Sequence, residues 1–599
     1  MNAQPVSLQF GFAHAMDKLV VGELTTRLPI AEPGRIEVDA ARGEVAGVQV
    51  RILAGEDFIL TVDRANWLHA LGFRRRVRLA VDFPTLPAGG VEVLPVGYLE
   101  GDDRRLWMEP LLRSGFVEGA AWRPQAVWLR LRVPAGLAAG EYSGRVTAFT
   151  QIGFEDEVHC WEGEVVLRVH AVTLPPVRDW SYHLDLWQHF TQLARHHGVA
   201  LWSDEHFVLI DRYCASLAEL GQKAVTVVVS EIPWSGQRGY RTIDYPAYLF
   251  EHTMVEVRRD RAGMLHCDFA HLDRLLAIAA THGIDREIEI FGLINIWTDE
   301  EFGFGQVVTD APDAVRVRCV DETTGAITYL RQAAELTLFM RALHDHLAAL
   351  GVLERVRILA DEPADLALFE ARLAFVQQAA PGFLYKVAIN HFEFIEHALA
   401  GVVDAVPVLP LACQDVALTQ RLTAQLHAAG GRMLWYVCCW PPLPNTFLHS
   451  PLVEGELLGW LTHALGMDGF LRWAFCLWPA DPWRRASWRY PLFPAGDMWF
   501  VLPGPDGWPV ETVRYEAMRM AAQDFELLKL VERTLSPDVA RTVIDQAMQH
   551  ILRASSLEAF VGVAQVPPVP ADTLYSLAPE DYQAARRVLL SALGSVSCG

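Results

Sequence analysis

Asp361-Glu362-Pro363 is the sharpest chemical feature of this sequence. The apolar run VRILA (356–360) leads straight into two adjacent acids, and a proline then stops the strand. A buried carboxylate is costly unless it is paired or protonated, so two in succession need a reason. Glycoside cleavage supplies one: a protonated carboxyl acts as general acid while a second group stabilises an oxocarbenium-like centre. Neighbouring carboxylates repel, which favours retention of one proton near neutral pH. Geometry raises an objection, because successive strand residues point to opposite faces. Both acids can serve one site only where the strand has ended or bulged. The structural alternative is that Asp361 caps the next helix and Glu362 pairs with an arginine.

Other strand ends offer His183, Asp185, Trp187, Glu231, Trp234, Asn295, Trp297, Asn390, His391, Tyr436, Trp440, Trp473 and Trp478. Glu231 is read as a substrate ligand or a structural ion pair. Asn390 and His391 suit sugar hydroxyls, and Trp440, Trp473 and Trp478 suit the apolar faces of sugar rings. His183, Trp187 and Asn295 complete the expected substrate contacts; a satisfied core histidine is the plainer reading of His391, and at least one of Trp440, Trp473 and Trp478 is expected in the core. Cys438-Cys439 is read as packing and Asp299-Glu300-Glu301 as a solvated loop. No HExxH, GxSxG, P-loop or zinc-spaced cluster occurs. No metal and no cofactor is therefore expected, and carboxylates with indoles indicate a carbohydrate ligand.

The elements that must position these residues fall into three regions. Residues 1–176 read as an antiparallel β-sandwich: VAGVQVRIL (45–53), DFILTVD (57–63) and AVWLRLRV (126–133) alternate and are broken by turn residues. After AVWLRLRV, the stretch PAGLAAGEY is a turn and SGRVTAF a returning strand. The Arg74–Arg78 cluster reads as a solvated strand face. Leu174-Pro175-Pro176 ends the region. Residues 177–510 alternate short apolar strands with helices that end in Gly, which predicts a (β/α)8 barrel. Its strands are expected at 181–187, 224–234, 287–297, 356–363, 385–392, 405–412, 433–440 and 469–478. A doubly wound sheet is less favoured, because no GxGxxG follows any strand. In a barrel the site lies at the C-terminal ends of the strands, which is where the residues above sit. Residues 511–599 read as a helical segment packed on the barrel, with Val513, Ala517, Ala521, Phe525 and Leu528 at helical spacing.

Composition narrows the function class. The 599 residues are 51% hydrophobic and 21% charged, enough to bury large cores. The net charge of −22 repels phosphate backbones and anionic membranes, so neither nucleic acid nor membrane is an expected partner. No apolar run approaches the roughly 18 residues that span a bilayer. Nine scattered cysteines without a CxxC, and a start lacking a basic stretch before an apolar one, fit a cytoplasmic location.

The C-terminal half resembles the family called domain of unknown function 4091. The resemblance rests on LADEP (359–363), LWYVCCWPPLPNTF (434–447), ELLGWLTHALGMDGFLRWAFCLWPADPW (456–483), GDMWFVLPGPDG (496–507) and VRYEAMRMAAQDFELLKLV (513–531). The N-terminal part resembles the sandwich preceding such barrels, through ARGEVAGVQV (41–50), WLRLRVPAGLAAGEYSGRVT (128–147) and VTLPP (172–176). This architecture is similar to glycoside hydrolase family 123, the β-N-acetylgalactosaminidases. The resemblance implies that Glu362 is the acid/base. Asp361 then orients the substrate's 2-acetamido group, whose carbonyl oxygen attacks the anomeric carbon. Tyr436 is, by position, a donor to the acetamido oxygen. The expected function is a retaining, substrate-assisted exo-β-N-acetylhexosaminidase. Two alternatives stand beside it: a glycosidase for plain hexosides with Glu362 as acid and a distant carboxylate such as Glu231, and a non-catalytic carbohydrate-binding protein.

Overall fold

The computed structural model describes residues 8–22, 24–62, 74–153, 155–233, 250–294, 307–397, 399, 401–488 and 493–596. The N-terminal part forms two six-stranded sheets. In spatial order the first joins Leu8–His14, Val45–Ala54, Gln125–Arg132, Val91–Glu100, Leu106–Leu111 and Val20–Val21. The second joins Arg35–Arg42, Val158–Thr173, Gly140–Ile152, Arg75–Asp82, Phe58–Thr61 and Phe116–Gly119. Most pairs are antiparallel, but Val158–Thr173 runs parallel to Arg35–Arg42, and Phe58–Thr61 parallel to Arg75–Asp82.

Strand alternation decides which side chains fill the space between the sheets. Val48, Val50, Ile52, Val127, Leu129 and Leu131 point inward against Val77, Leu79, Val146, Ala148, Val165 and Leu167. The intervening Gln49 and Arg51 are also buried, on the opposite face. There Gln49 donates to the carbonyls of His14, Ala15 and Asp17, and Arg51 lies 3.1 Å from the Asp17 carboxylate. Two expectations change. Gln125–Arg132 and Gly140–Ile152 are not a hairpin: they lie in different sheets, so the turn between them crosses the sandwich. Nor is the arginine cluster a solvated face. Arg76 and Arg78 are buried, and Arg78 lies 2.6 Å from Glu157 and stacks on Phe149.

Beyond Thr173 the order becomes strand and helix in alternation. Eight strands are labelled here in chain order: β1 (His183–Leu186), β2 (Ala224–Val228), β3 (Glu287–Phe291), β4 (Val356–Asp361), β5 (Leu384–Ile389), β6 (Val402–Pro407), β7 (Leu434–Tyr436) and β8 (Gly469–Arg472). All pair in parallel, β2 through β6 in one sheet and β7-β8-β1 in another. Parallel bridges join the edges of these sheets, Leu184 to Gln222 at one side and Ala405 to Met433 at the other. Helices at Asp204–Glu219, Ala270–Thr281 and Ala333–Ala349 are each followed by a left-handed glycine, Gly221, Gly283 and Gly351. This is the conformation a residue without Cβ adopts freely.

The helices Val513–Thr534, Pro537–Ile551 and Pro579–Val596 close the chain. The first packs closely on Leu452–Ala464, where a Cβ at Gly459 would come within 2.0 Å of the Ala521 carbonyl. Its Glu526 accepts the Ser181 and Tyr182 N–H groups just before β1. Buried ion pairs tie it and the strand before it to the sandwich: Arg130 lies 2.5 Å from Glu511 and 2.6 Å from Glu516, and Arg514 lies 2.7 Å from Glu109. No helix among the described residues is long and apolar enough to cross a membrane.

Candidate active site

Asp361 is the last residue of β4 and sits opposite Ala388 of β5. Glu362 follows with φ of 47°, in the left-handed region. A residue with a side chain adopts this conformation at a cost on the order of 1–3 kcal/mol. The Glu362 N–H still reaches the Ala388 carbonyl at 2.9 Å. The chain is thus held to the sheet while its direction changes, which answers the objection that adjacent strand residues diverge.

The Glu362 carboxylate accepts a hydrogen bond from the hydroxyl of Tyr436, the last residue of β7. Burial, and then the charge of Glu362, push the Tyr436 phenol well above its usual range, and Asp361 adds to the effect. Tyr436 is therefore a neutral donor on which both carboxyls bear. Asp361 is buried and Glu362 half-buried. Among the described residues Glu362 has no cationic nitrogen within ion-pair distance. A carboxylate tethered by a neutral phenol can take up and release a proton without breaking an ion pair, as a general acid/base must.

The neighbouring wall comes from the loops after β7 and β8. Asn445 donates to the Cys438 and Pro441 carbonyls, and Arg472 donates to the Asn445 side-chain oxygen at 2.7 Å. Arg472 also lies 2.9 Å from Asp497, which accepts the Trp473 indole N–H at 3.2 Å. Burial pushes Asp497 up to about 6, against the pull of Arg472. The Cys438 thiol is held well above its usual range, first by its hydrogen bond with Cys439 and then by burial. It is a neutral thiol rather than a nucleophile. Asp497, Arg472 and Asn445 were not singled out from sequence. Asp497 lies within GDMWF, but nothing in its spacing points to Arg472.

The remaining sequence candidates divide. His183 is buried at the start of β1, 3.0 Å from Glu287, and so lies at the N-terminal end of its strand rather than at the C-terminal strand ends. Trp187 is buried edge-on against Phe291. Glu231 accepts a hydrogen bond from the Tyr329 hydroxyl and lies 3.6 Å from Arg318 and 3.9 Å from His252. Asn390 and His391 follow β5 and are exposed. Trp440 is also exposed. Trp478 is a core residue, fully buried, with its indole N–H on the Val501 carbonyl at 2.7 Å. Its ring face is not free for a sugar. Asn295, Trp234, Trp297 and Asp299-Glu300-Glu301 lie outside the described residues.

A second acidic group lies within the strands. Asp185 of β1 and Glu287 and Glu289 of β3 bring carboxylate oxygens within 4.8 Å of one another, close enough to hold a metal ion. Lys386 of β5 already supplies the cation. Its ammonium bonds Asp185 and lies 2.9 Å from Glu287 and 2.8 Å from Glu289. Burial raises Glu287, but Lys386 and His183 outweigh it and hold this carboxyl well below the usual range. Burial and the Asp185 charge hold Glu289 well above it. The cluster is a neutralised core layer. Lys386 pairs with β4 two residues before the register position of Asp361, so the layer lies beneath the site.

Residues 187–531 match the family model described as glycoside hydrolase 123, catalytic domain. Among solved structures, the chain is similar to a family 123 glycoside hydrolase from Clostridium perfringens, whose structure was described for glycolipid glycan hydrolysis. Identity is 14%, the TM-score is 0.73, and 99% of this chain and 98% of that chain are covered. A β-D-glucuronidase from Dictyoglomus thermophilum matches more loosely, at 10% identity and a TM-score of 0.30 over 86% of this chain and 68% of that one. No curated protein matches the sequence.

Proposed function

The chain belongs to glycoside hydrolase family 123, and from that premise we propose that it is a retaining, substrate-assisted exo-β-N-acetylhexosaminidase of the N-acetylgalactosaminidase kind. The observation that carries this reading is the left-handed turn at Glu362, which sets two adjacent carboxyls beside one phenol. Protonated Glu362 gives its proton to the glycosidic oxygen as that bond breaks. The substrate's acetamido carbonyl oxygen attacks the anomeric carbon from the other side, forming an oxazolinium ring. Asp361 holds the acetamido N–H and balances the charge that develops there. The aglycone leaves, water enters, and Glu362 now takes a proton from it. The water oxygen attacks the anomeric carbon, the ring opens, and configuration is retained. Tyr436 orients the Glu362 carboxyl through its hydrogen bond. Under this reading the phenol serves the acid first, and the acetamido oxygen only if it turns away from Glu362. The carbohydrate accepted at the site is a glycan end, as suggested by the glycolipid glycans hydrolysed by the similar enzyme.

The proposed scaffold is a closed (β/α)8 barrel. Its support is eight parallel strands in sequential neighbour order, joined at both sheet edges by parallel bridges. The test of function is a panel of aryl β-glycosides with and without the 2-acetamido group. We expect turnover of the acetamido substrates only. Equal turnover of plain hexosides contradicts substrate assistance and favours Glu362 acting with a distant carboxylate.

A further inference from the structure

Tryptophan burial in this protein is uneven. Trp128, Trp187, Trp435, Trp460, Trp478 and Trp499 are fully buried, whereas among the described residues Trp440, Trp483 and Trp508 are each more than a third exposed. Trp440 follows β7, beside the candidate site. Trp483 and Trp508 share a groove of about 590 Å³ elsewhere, where the sandwich meets the hairpin Val501–Pro503/Pro509–Glu511. Pro505, Pro509 and Leu112 supply its apolar floor, and Arg113, Ser114 and Asp506 its polar rim.

Neither indole is loose. The Trp483 N–H donates to the Pro503 carbonyl at 3.1 Å, which pins the ring to the hairpin that carries Trp508. The Trp508 backbone N–H donates to the Asp506 carboxylate at 3.1 Å. Arg212 lies 5.5 Å from the centroid of the Trp508 ring while donating to the Asp506 carbonyl at 2.7 Å. One aromatic side chain is thus oriented by a hydrogen bond and the other by the Arg212 guanidinium near its ring, and both are still left partly open to solvent. Covering both rings with one ligand would be favourable. Rigid amphipathic rings with a few placed polar groups are the usual composition of a small-molecule site.

We propose that this groove is a second carbohydrate-binding site, in which the C–H faces of two sugar units lie on Trp483 and Trp508 and their hydroxyls meet Arg113, Ser114 and Asp506. The occupant follows from the chemistry: a glycosidase meets glycan chains, and a sugar ring offers one apolar face with polar edges, matching pinned indoles inside a polar rim. The site would hold a glycan to the enzyme at a point separate from the scissile bond. It rests on the glycosidase reading for its ligand class only, not on the Asp361-Glu362 mechanism.

The test uses the full chain carrying Glu362→Gln, so that bound glycans are not cleaved, alongside the same chain with Trp483→Ala and Trp508→Ala added. Both are titrated onto a glycan array, with octanoate binding by calorimetry as an apolar-chain control. We expect the added substitutions to weaken binding to oligosaccharides about tenfold or more, since truncated aromatic anchors dominate such losses. The Trp483→Ala/Trp508→Ala protein with Glu362 intact should keep its turnover of small aryl glycosides, which also shows that it folds. Unchanged array binding overturns the proposal, as does absence of binding by either protein. Octanoate binding that vanishes with the indoles while glycan binding does not identifies an apolar-chain groove and equally overturns it. Should the protein hydrolyse no glycoside while indole-dependent glycan binding persists, the groove stands and the proposed function falls.

Discussion

Two groups of carboxylates lie one above the other along the parallel strands, and they are partnered in different ways. In the lower group Lys386 places one ammonium among Asp185, Glu287 and Glu289, and His183 adds a partner for Glu287. In the upper group Glu362 meets a neutral phenol instead. The lower arrangement fixes charge and closes the core. The upper one leaves Glu362 hydrogen-bonded to a neutral donor, on a left-handed backbone. Acidic clustering alone therefore does not separate the two; the ammonium among the lower acids and the phenol on Glu362 do. A third case lies on the helix Leu452–Ala464, where buried Glu454 and Glu456 are pushed up to about 7, chiefly by burial. There a proton is the counter-charge.

The largest expected effect falls on the lower group. Lys386→Met leaves three buried acidic side chains without their ammonium, a loss of about 3–5 kcal/mol by the usual cost of breaking a buried pair. Denaturant unfolding measures it, and the loss should shrink at acidic pH, where protonated carboxyls need no cation. A variant of unchanged stability but lost turnover would move this cluster into the chemistry and break the comparison.

The proton-neutralised acids predict a pH dependence. Glu454 and Glu456 have folded values of about 7 against an ordinary 4.5. The folded chain therefore keeps protons that the unfolded chain releases between these values. Their contribution favours folding below about 4.5 and is lost as pH rises through about 7. A shift of this size corresponds to on the order of 3 kcal/mol per group. Tm should fall between pH 4.5 and 7, and Glu456→Gln should reduce the slope. A slope unaltered by Glu456→Gln would show that another group neutralises this carboxyl.

A smaller effect is expected at Tyr436. Tyr436→Phe removes a hydrogen bond to a charged group, worth about 1.5–3 kcal/mol, so kcat should fall roughly ten- to hundredfold with KM little changed. A raised KM at constant kcat would assign the phenol to substrate binding rather than to orienting Glu362.

The sequence made some of this legible and hid the rest for physical reasons. LADEP announced its acids because two charges after an apolar strand, followed by proline, have few structural uses. The helices announced their ends through glycine. By contrast, EIEIF in β3 alternates as a strand with one wet face would. Its glutamates instead point into the interior, where the distant Lys386, with His183 and Arg432 beside Glu287, makes that tolerable. His183 and Trp478 were placed at strand ends by counting along the chain, but His183 begins its strand and Trp478 lies beyond β8 in packed structure. The Arg472–Asp497 pair and the crossing of Gln125–Arg132 to Gly140–Ile152 between sheets depend on contacts between separated segments. Local pattern carries no trace of them.

The central claim is that Glu362 is the proton donor and Asp361 the partner of the acetamido group. Its most direct test is kcat/KM for Glu362→Gln and Asp361→Asn on two 2-acetamido glycosides differing only in leaving group. Glu362→Gln should lose about 10²–10⁴-fold with the poor leaving group and far less with the activated one, which departs without protonation. Asp361→Asn should lose activity on both, because the acetamido attack is still required. Equal losses for Glu362→Gln across the two leaving groups would contradict the account.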